Sequence, residues 1–185
     1  MATIGGNLCN GVPSADSATP LIALNAEVMI EGRNGPRQMP LESFFLGPSR
    51  VALAQHEILT AITITRDNYA NYFGHFHKYA MREAMDISTI GCSAVCKIKN
   101  GTLQDLRLAF GVAAPIPIRC KVTEDKVRGR KINSKLLTDI ATYLSADVRP
   151  RTSWRAAKEF RLQIITTLTQ RVVKQAILNA GGTLQ

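Results

Sequence analysis

The chain has 185 residues, 45% hydrophobic and 20% charged, which suits one domain with a good core or two small domains sharing one. No apolar run approaches the roughly 18 residues of a membrane helix, and no basic segment followed by an apolar stretch opens the chain as a secretory leader would, so the expectation is a soluble, cytoplasmic protein. The whole net charge of +9 lies from Arg119 onward, where 14 Lys and Arg face 5 Asp and Glu; these cations lack the aromatic interleaving of a single-strand binder, which speaks against nucleic acid and for a surface that docks an acidic partner.

Gly5-Gly6-Asn7 reads as a turn close to the start. Asp16 or Ser17 can cap a short helix, Leu21 to Asn25, with Pro20 in its first turn. A strand follows in which Val28 and Ile30 point one way and Glu27, Met29 and Glu31 the other. Arg33-Asn34-Gly35-Pro36 turns the chain into a returning strand, Arg37 to Pro40. Leu41 to Leu46 reads as a helical turn stopped by Gly47-Pro48, and Glu57 to Thr65, rich in β-branched residues, as a further strand. The polar stretch Arg66 to Tyr72 is the expected boundary.

Beyond it, Gly74 to Ala80, Thr89 to Lys99 and Thr102 to Val112 read as three strands of an antiparallel sheet, the last two joined at Asn100-Gly101. Lys126, Arg128, Arg130 and Lys131 fall in an expected loop. From Ser134, read as a cap, Leu136, Leu137, Ile140, Ala141 and Leu144 recur at helical spacing until Arg149-Pro150. The final helix is expected over Trp154 to Ala180, with Phe160, Ile164, Leu168, Val172 and Ala176 at intervals of four and Gly181-Gly182 as its stop. This order gives an α+β fold.

Little in the pattern points to chemistry. Thr3 to Asn7 offers two glycines whose backbone could approach a phosphate or a flat ring, flanked by a hydroxyl and an amide, yet it matches neither of the two common glycine-rich phosphate signatures. Asp16 could accept bonds from a sugar hydroxyl as well as cap a helix. His75 and His77 share a strand face, but two ligands make no metal site. Cys92 and Cys96 lie too far apart to bridge, and with Cys9 and Cys120 they read as apolar thiols. The segment from His77 to Ser88 mixes charges and methionines in a connection with no evident packing purpose. No catalytic triad and no acid and base pair stands out.

The run from Ala2 to Asn7 with Ser14-Ala15-Asp16-Ser17-Ala18-Thr19-Pro20, then Glu57-Ile58-Leu59, then Lys78 to Ser88, then Leu108-Ala109-Phe110-Gly111-Val112-Ala113 and Ser153-Trp154-Arg155-Ala156, closely resembles the FAD-binding subunit of xanthine dehydrogenase and related molybdenum hydroxylases. The resemblance covers the whole chain. It implies a second FAD-binding subdomain over residues 1–70 and, over 71–185, a C-terminal domain with a three-stranded antiparallel sheet and helices. Members of the family begin with another FAD subdomain that wraps the pyrophosphate. With Met1 just before the glycine turn, the expectation is the C-terminal part of a subunit, inactive and poor at retaining FAD alone.

The resemblance further implies that Thr3, Ile4, Gly5, Gly6 and Asn7 line the flavin and its phosphates. Asp16 and Lys78 would contact the cofactor, Leu59 would pack on its adenine side, and Arg82 to Asp86 would form a movable loop beside the isoalloxazine. It gives no catalytic residue and no metal ligand to this chain. The implied enzyme works in purine catabolism: a molybdenum-cofactor subunit hydroxylates the substrate, and electrons pass through a 2Fe-2S subunit to FAD and on to NAD. The alternative is an interaction module that keeps the fold and the docking surface without flavin. Apolar surface at Leu8, Val12, Leu21 and Leu24 is expected to be exposed and to pair isolated chains as a homodimer.

Overall fold

The computed structural model describes residues 3–184. The glycine turn is instead the body of a helix, α1 (Ile4–Cys9), because Thr3 is its N-cap: Oγ1 accepts the backbone N–H of Gly6 at 3.0 Å. A threonine bonded to the third residue of the first turn starts a helix even through two glycines. α2 (Ala18–Ala23) begins three residues before the expected helix, with Ser17 as N-cap, so Asp16 is not the cap.

The expected alternation and hairpin hold. β1 (Glu27–Gly32) buries Val28 and Ile30 completely, and β2 (Gly35–Pro40) returns along it. A 3₁₀ turn, Leu41–Phe44, leads into the short pair β3 (Phe45–Gly47) and β4 (Arg50–Val51). β5 (Ile58–Thr63) then pairs antiparallel with β1, giving the order β2-β1-β5. The polar boundary holds a one-turn helix, α3 (Arg66–Tyr69). Arg107 fastens this stretch to the second half of the chain, donating to the Asn68 carbonyl at 3.1 Å with its guanidinium 4.1 Å from the Tyr72 ring centroid.

The second sheet is built from β6 (Phe73–Tyr79), β7 (Ile90–Lys99) and β8 (Thr102–Gly111), all antiparallel, with a two-residue fourth strand, β9 (Ile118–Arg119). Asn100 and Gly101 both take positive φ at the β7–β8 turn, as that dipeptide favours. β7 is buried on both faces. Cys92, Ala94 and Cys96 join a core with the helices that follow, whereas Val95 joins a core with α1, α2 and the first sheet.

α4 (Lys121–Val127) occupies part of the expected loop and places Lys126 in its last turn. Its cap is non-local: the Asp147 carboxylate accepts Val122 N–H at 3.1 Å, Thr123 N–H at 3.0 Å and the Thr123 hydroxyl at 2.7 Å. α5 (Ser134–Tyr143) is capped by Asn133 rather than Ser134, its Oδ1 accepting Leu136 N–H. α6 (Lys158–Asn179) starts four residues later than the spacing suggested, because residues 151–156 fold as a strap closed by mutual Ser153–Ala156 backbone bonds. It packs on β6 and β7 and ends at Gly181, where φ is +75°.

The expected apolar patch is smaller than anticipated: Leu8 is fully buried, while Val12, Leu21 and Leu24 are partly buried against the same core. No described helix is long and apolar enough to cross a membrane.

Candidate functional site

The N-terminal candidates meet those of the Lys78 to Ser88 segment through one carboxylate. Asn7, near the end of α1, accepts the Ser17 N–H at 3.2 Å and the Ser17 hydroxyl on Oδ1, which pins α1 against the segment that carries Asp16. Asp16 Oδ2 receives the Lys78 ammonium at 2.6 Å, while its Oδ1 accepts the Ser88 hydroxyl. Lys78 is the penultimate residue of β6 and Ser88 lies two residues before β7, so one side chain from the N-terminal region fastens both ends of the connection between two paired strands. The backbone closes the same neck, with Thr89 N–H donating to Tyr79 O at 2.8 Å.

Both charged partners stay open to solvent, at 31% side-chain exposure for Lys78 and 41% for Asp16. A carboxylate oxygen accepts two bonds and an ammonium donates three. After their mutual contact, the pair can therefore still offer acceptors and donors to a ligand.

Within the neck, the connection is held by its own carboxylate. Asp86 Oδ2 accepts Met81 N–H at 2.8 Å and Arg82 N–H at 2.9 Å, and Oδ1 accepts Ile87 N–H at 2.8 Å. Burial opposes ionisation of Asp86, but the three amides and the Arg82 charge outweigh it and hold the carboxyl below its usual range. The Arg82 side chain, itself largely exposed, donates to the Met85 carbonyl at 2.9 Å. Met81 and Met85 point outward, Met85 at 96% exposure. A depression of about 370 Å³ lies between Lys78 and Asp86.

The α1 glycines present bare backbone. A Cβ on Gly5 would lie 3.7 Å from Leu59 Cδ2, and one on Gly6 would lie 3.0 Å from Thr3 Oγ1. Leu59 on β5 thus stands beside Gly5, and the exposed Ile4 flanks it. The structure brings together Thr3, Ile4, Gly5, Gly6 and Asn7 with Leu59, and Asp16 with Lys78 and the Arg82–Asp86 loop. It also changes two roles: the Thr3 hydroxyl and the Asn7 carbonyl oxygen, expected to face a ligand, accept bonds from the protein itself.

Sequence reading missed Ser17 and Ser88 as partners, and no local signal could have found them, since their acceptors lie 10 and 72 residues away. Three of the four cysteines are fully buried, and burial raises their thiol pKa values, Cys96 to about 12. No described group of three or more His, Cys, Asp or Glu residues is placed to hold a metal ion.

Residues 1–66 match the family described as FAD binding domain in molybdopterin dehydrogenase, and residues 75–176 match the CO dehydrogenase flavoprotein C-terminal domain. The xanthine dehydrogenase FAD-binding subunit of Escherichia coli is 48% identical over 185 residues, all of this chain and 63% of that protein. The glyceraldehyde dehydrogenase medium chain of Sulfolobus acidocaldarius is 30% identical over 95% of this chain and 61% of its own length. Among solved structures, a chain of the carbon monoxide dehydrogenase from Hydrogenophaga pseudoflava superimposes with a TM-score of 0.89 at 25% identity, covering 96% of this chain and 61% of that one. The chain thus spans less than two thirds of the length of these relatives.

Proposed function

Because the chain belongs to the family of FAD-binding flavoprotein subunits of xanthine dehydrogenase and related molybdenum hydroxylases, we propose that it supplies one wall of a flavin site in an enzyme of that kind. Residues 1–70 would be the second FAD-binding subdomain and 71–185 the C-terminal domain. What supports this reading above all is the fastening of Lys78 and Ser88 on Asp16. It joins the expected cofactor contacts of both parts of the chain into one half-exposed polar surface.

The residues present fit FAD. Gly5 and Gly6 leave backbone that a phosphate or ring can approach, Leu59 adds apolar surface beside them, and the Asp16–Lys78 pair offers acceptors to ribose or ribityl hydroxyls and donors to phosphate oxygens. Arg82 to Asp86 would border the ring, the Asp86 carboxylate holding the loop's shape. FAD held there would supply the redox chemistry, with electrons arriving from the iron-sulfur centres of a partner subunit and leaving to NAD. The chain's own part is to bind, orient and shield. Substrate hydroxylation would belong to a molybdenum-cofactor subunit, and the chain without its partners would not reduce NAD.

The test is flavin occupancy of the full-length subunit, read from visible absorbance of the purified protein. Asp16→Ala and Lys78→Ala should each lower FAD affinity by about one to two decades, since a bond to a charged group is worth about 1.5 to 3 kcal/mol. Full occupancy in both variants, with circular dichroism unchanged, would reduce the pair to a loop fastener.

A further inference from the structure

Arg161, in the first turns of α6, is only 2% exposed, the least exposed cation among the described residues. Its hydrogen-bond partners are neutral: Nη1 donates to the Thr89 carbonyl and Nη2 to the Ser153 hydroxyl at 2.9 Å, while Nε has no partner. The other strongly buried arginines are neutralised, Arg119 by Glu124 at 2.6 Å and Arg107 by Asp105 at 3.1 Å. Arg161 is instead surrounded by its own sign. Burial, and after it the charges of Arg151 and Arg155, lower its pKa. Among the described residues no carboxylate lies within 4.0 Å of Arg151, Arg155 or Arg161.

The strap that covers Arg161 is well held, by the Ser153–Ala156 bonds and by Thr152 Oγ1, which accepts Lys158 N–H at 3.0 Å. It presents Trp154 at 82% exposure, with the Arg155 guanidinium 4.1 Å from the ring centroid, and Phe160 stands half-exposed nearby on α6. Exposed tryptophan and arginine on a rigid support are the residue types that dominate binding energy at protein interfaces. A buried cation without a counter-charge is costly, and a carboxylate seated on the strap beside it offsets part of that cost.

We propose that the strap of Arg151, Trp154 and Arg155, with Arg161 beneath it, is the docking point for a carboxylate-bearing segment of a partner subunit. The proposal rests on the reading that the chain works inside a multi-subunit enzyme, and it assigns the contact to one corner of the basic C-terminal third. Because Arg161 donates to the carbonyl of Thr89, whose N–H closes the neck, this corner adjoins the neck that Asp16 fastens.

Trp154 is the single tryptophan of the chain, so the full-length subunit labelled with fluorotryptophan gives one fluorine NMR resonance from this corner when the label is confined to it. The probes are the unlabelled iron-sulfur subunit, the unlabelled molybdenum subunit and inorganic phosphate. The expected result is a shift or broadening with one of the two subunits, and a loss of affinity of roughly tenfold or more in Arg151→Glu/Arg155→Glu, steeper at low salt. Trp154→Phe, with no resonance to read, should weaken binding by calorimetry while leaving the melting temperature in place. A complex that leaves the resonance unmoved and binds the double variant as tightly as the parent overturns the proposal and leaves the flavin-subunit reading standing. Saturation by phosphate alone, with no response to either subunit, also overturns it in favour of a small-anion site. Failure of the unmodified subunit to bind either partner sinks the multi-subunit reading itself, and the docking point with it.

Discussion

Arg119–Glu124 and Lys78–Asp16 are the same contact chemically, a side-chain cation 2.6 Å from a carboxylate oxygen, set in opposite surroundings. The first lies where β8, β9 and α4 meet, with side chains 9% and 3% exposed. Glu124 accepts the Leu108 N–H at 2.7 Å as well as two arginine donors, and Arg119 reaches on to Asn25 Oδ1. Every bond there joins one element to another, and no face is left for a ligand. The second pair joins residues 62 apart in sequence, against 5 for the first, and its side chains are 31% and 41% exposed. Burial therefore separates a structural ion pair from one that can also bind.

The largest expected effect tests the buried pair. Glu124→Ala leaves Arg119 and the Leu108 amide without their acceptor, and breaking such a pair costs about 3 to 5 kcal/mol. Denaturant unfolding should show that loss as a lower midpoint with an unchanged slope; a cost below about 1 kcal/mol would erase the distinction. Asp16→Ala should do the reverse. An exposed pair contributes at most about 1 kcal/mol to stability, so the unfolding midpoint should move little while flavin affinity falls as stated above. A variant that unfolds as readily as Glu124→Ala would make Asp16 a core residue in effect.

Ser88→Ala sharpens the comparison, because it releases one end of the loop and keeps the ion pair. A hydroxyl bond to a carboxylate is worth about 1.5 to 3 kcal/mol, and in this half-exposed setting the lower end applies, roughly tenfold. Amide exchange between Met81 and Ile87 should accelerate by about that factor, with exchange in β7 unchanged.

The smallest effect concerns Glu57, which sits on Arg37 at 2.7 Å beside β2 and β5. The hydrogen bond from Arg37, then the Ala54 amide, lower its pKa to about 2. A carboxyl with a depressed folded pKa contributes stability above its unfolded value of about 4.3, and that contribution fades as pH falls towards 2. Glu57→Gln should remove the contribution present at neutral pH and flatten the profile between those values, so that variant and parent converge near pH 2, as thermal unfolding across pH would show.

The sequence was most legible where the deciding contacts are local. Asn100-Gly101 marks its hairpin through two residues that tolerate positive φ, and the four-residue spacing from Phe160 to Ala176 marks α6 without reference to anything else. Legibility failed where the partner is distant. α4 is seven residues long and depends on Asp147, some 25 residues on, for its cap, so Lys126 read as a loop residue. Asp16 looked like a helix cap because its real partners stand 62 and 72 residues away. Gly5-Gly6 looked like a turn because two glycines outweigh one Thr3 in propensity, although the hydroxyl's bond decides the outcome. The pattern itself offered only Thr3 to Asn7 and Asp16 as weak candidates; Leu59, Lys78 and the Arg82–Asp86 loop came from resemblance.

The distance between Asp16 and its two partners also orders events in time. β6, β7 and β8 can pair through contacts close in sequence, whereas the neck of the Lys78–Ser88 loop waits for a residue that left the ribosome long before and must return across the finished sheet. Contacts of such separation form late, once their loop-closure entropy has been met by docking of the surrounding apolar faces. The loop beside the proposed flavin surface is then expected to take its shape only after the two cores have met.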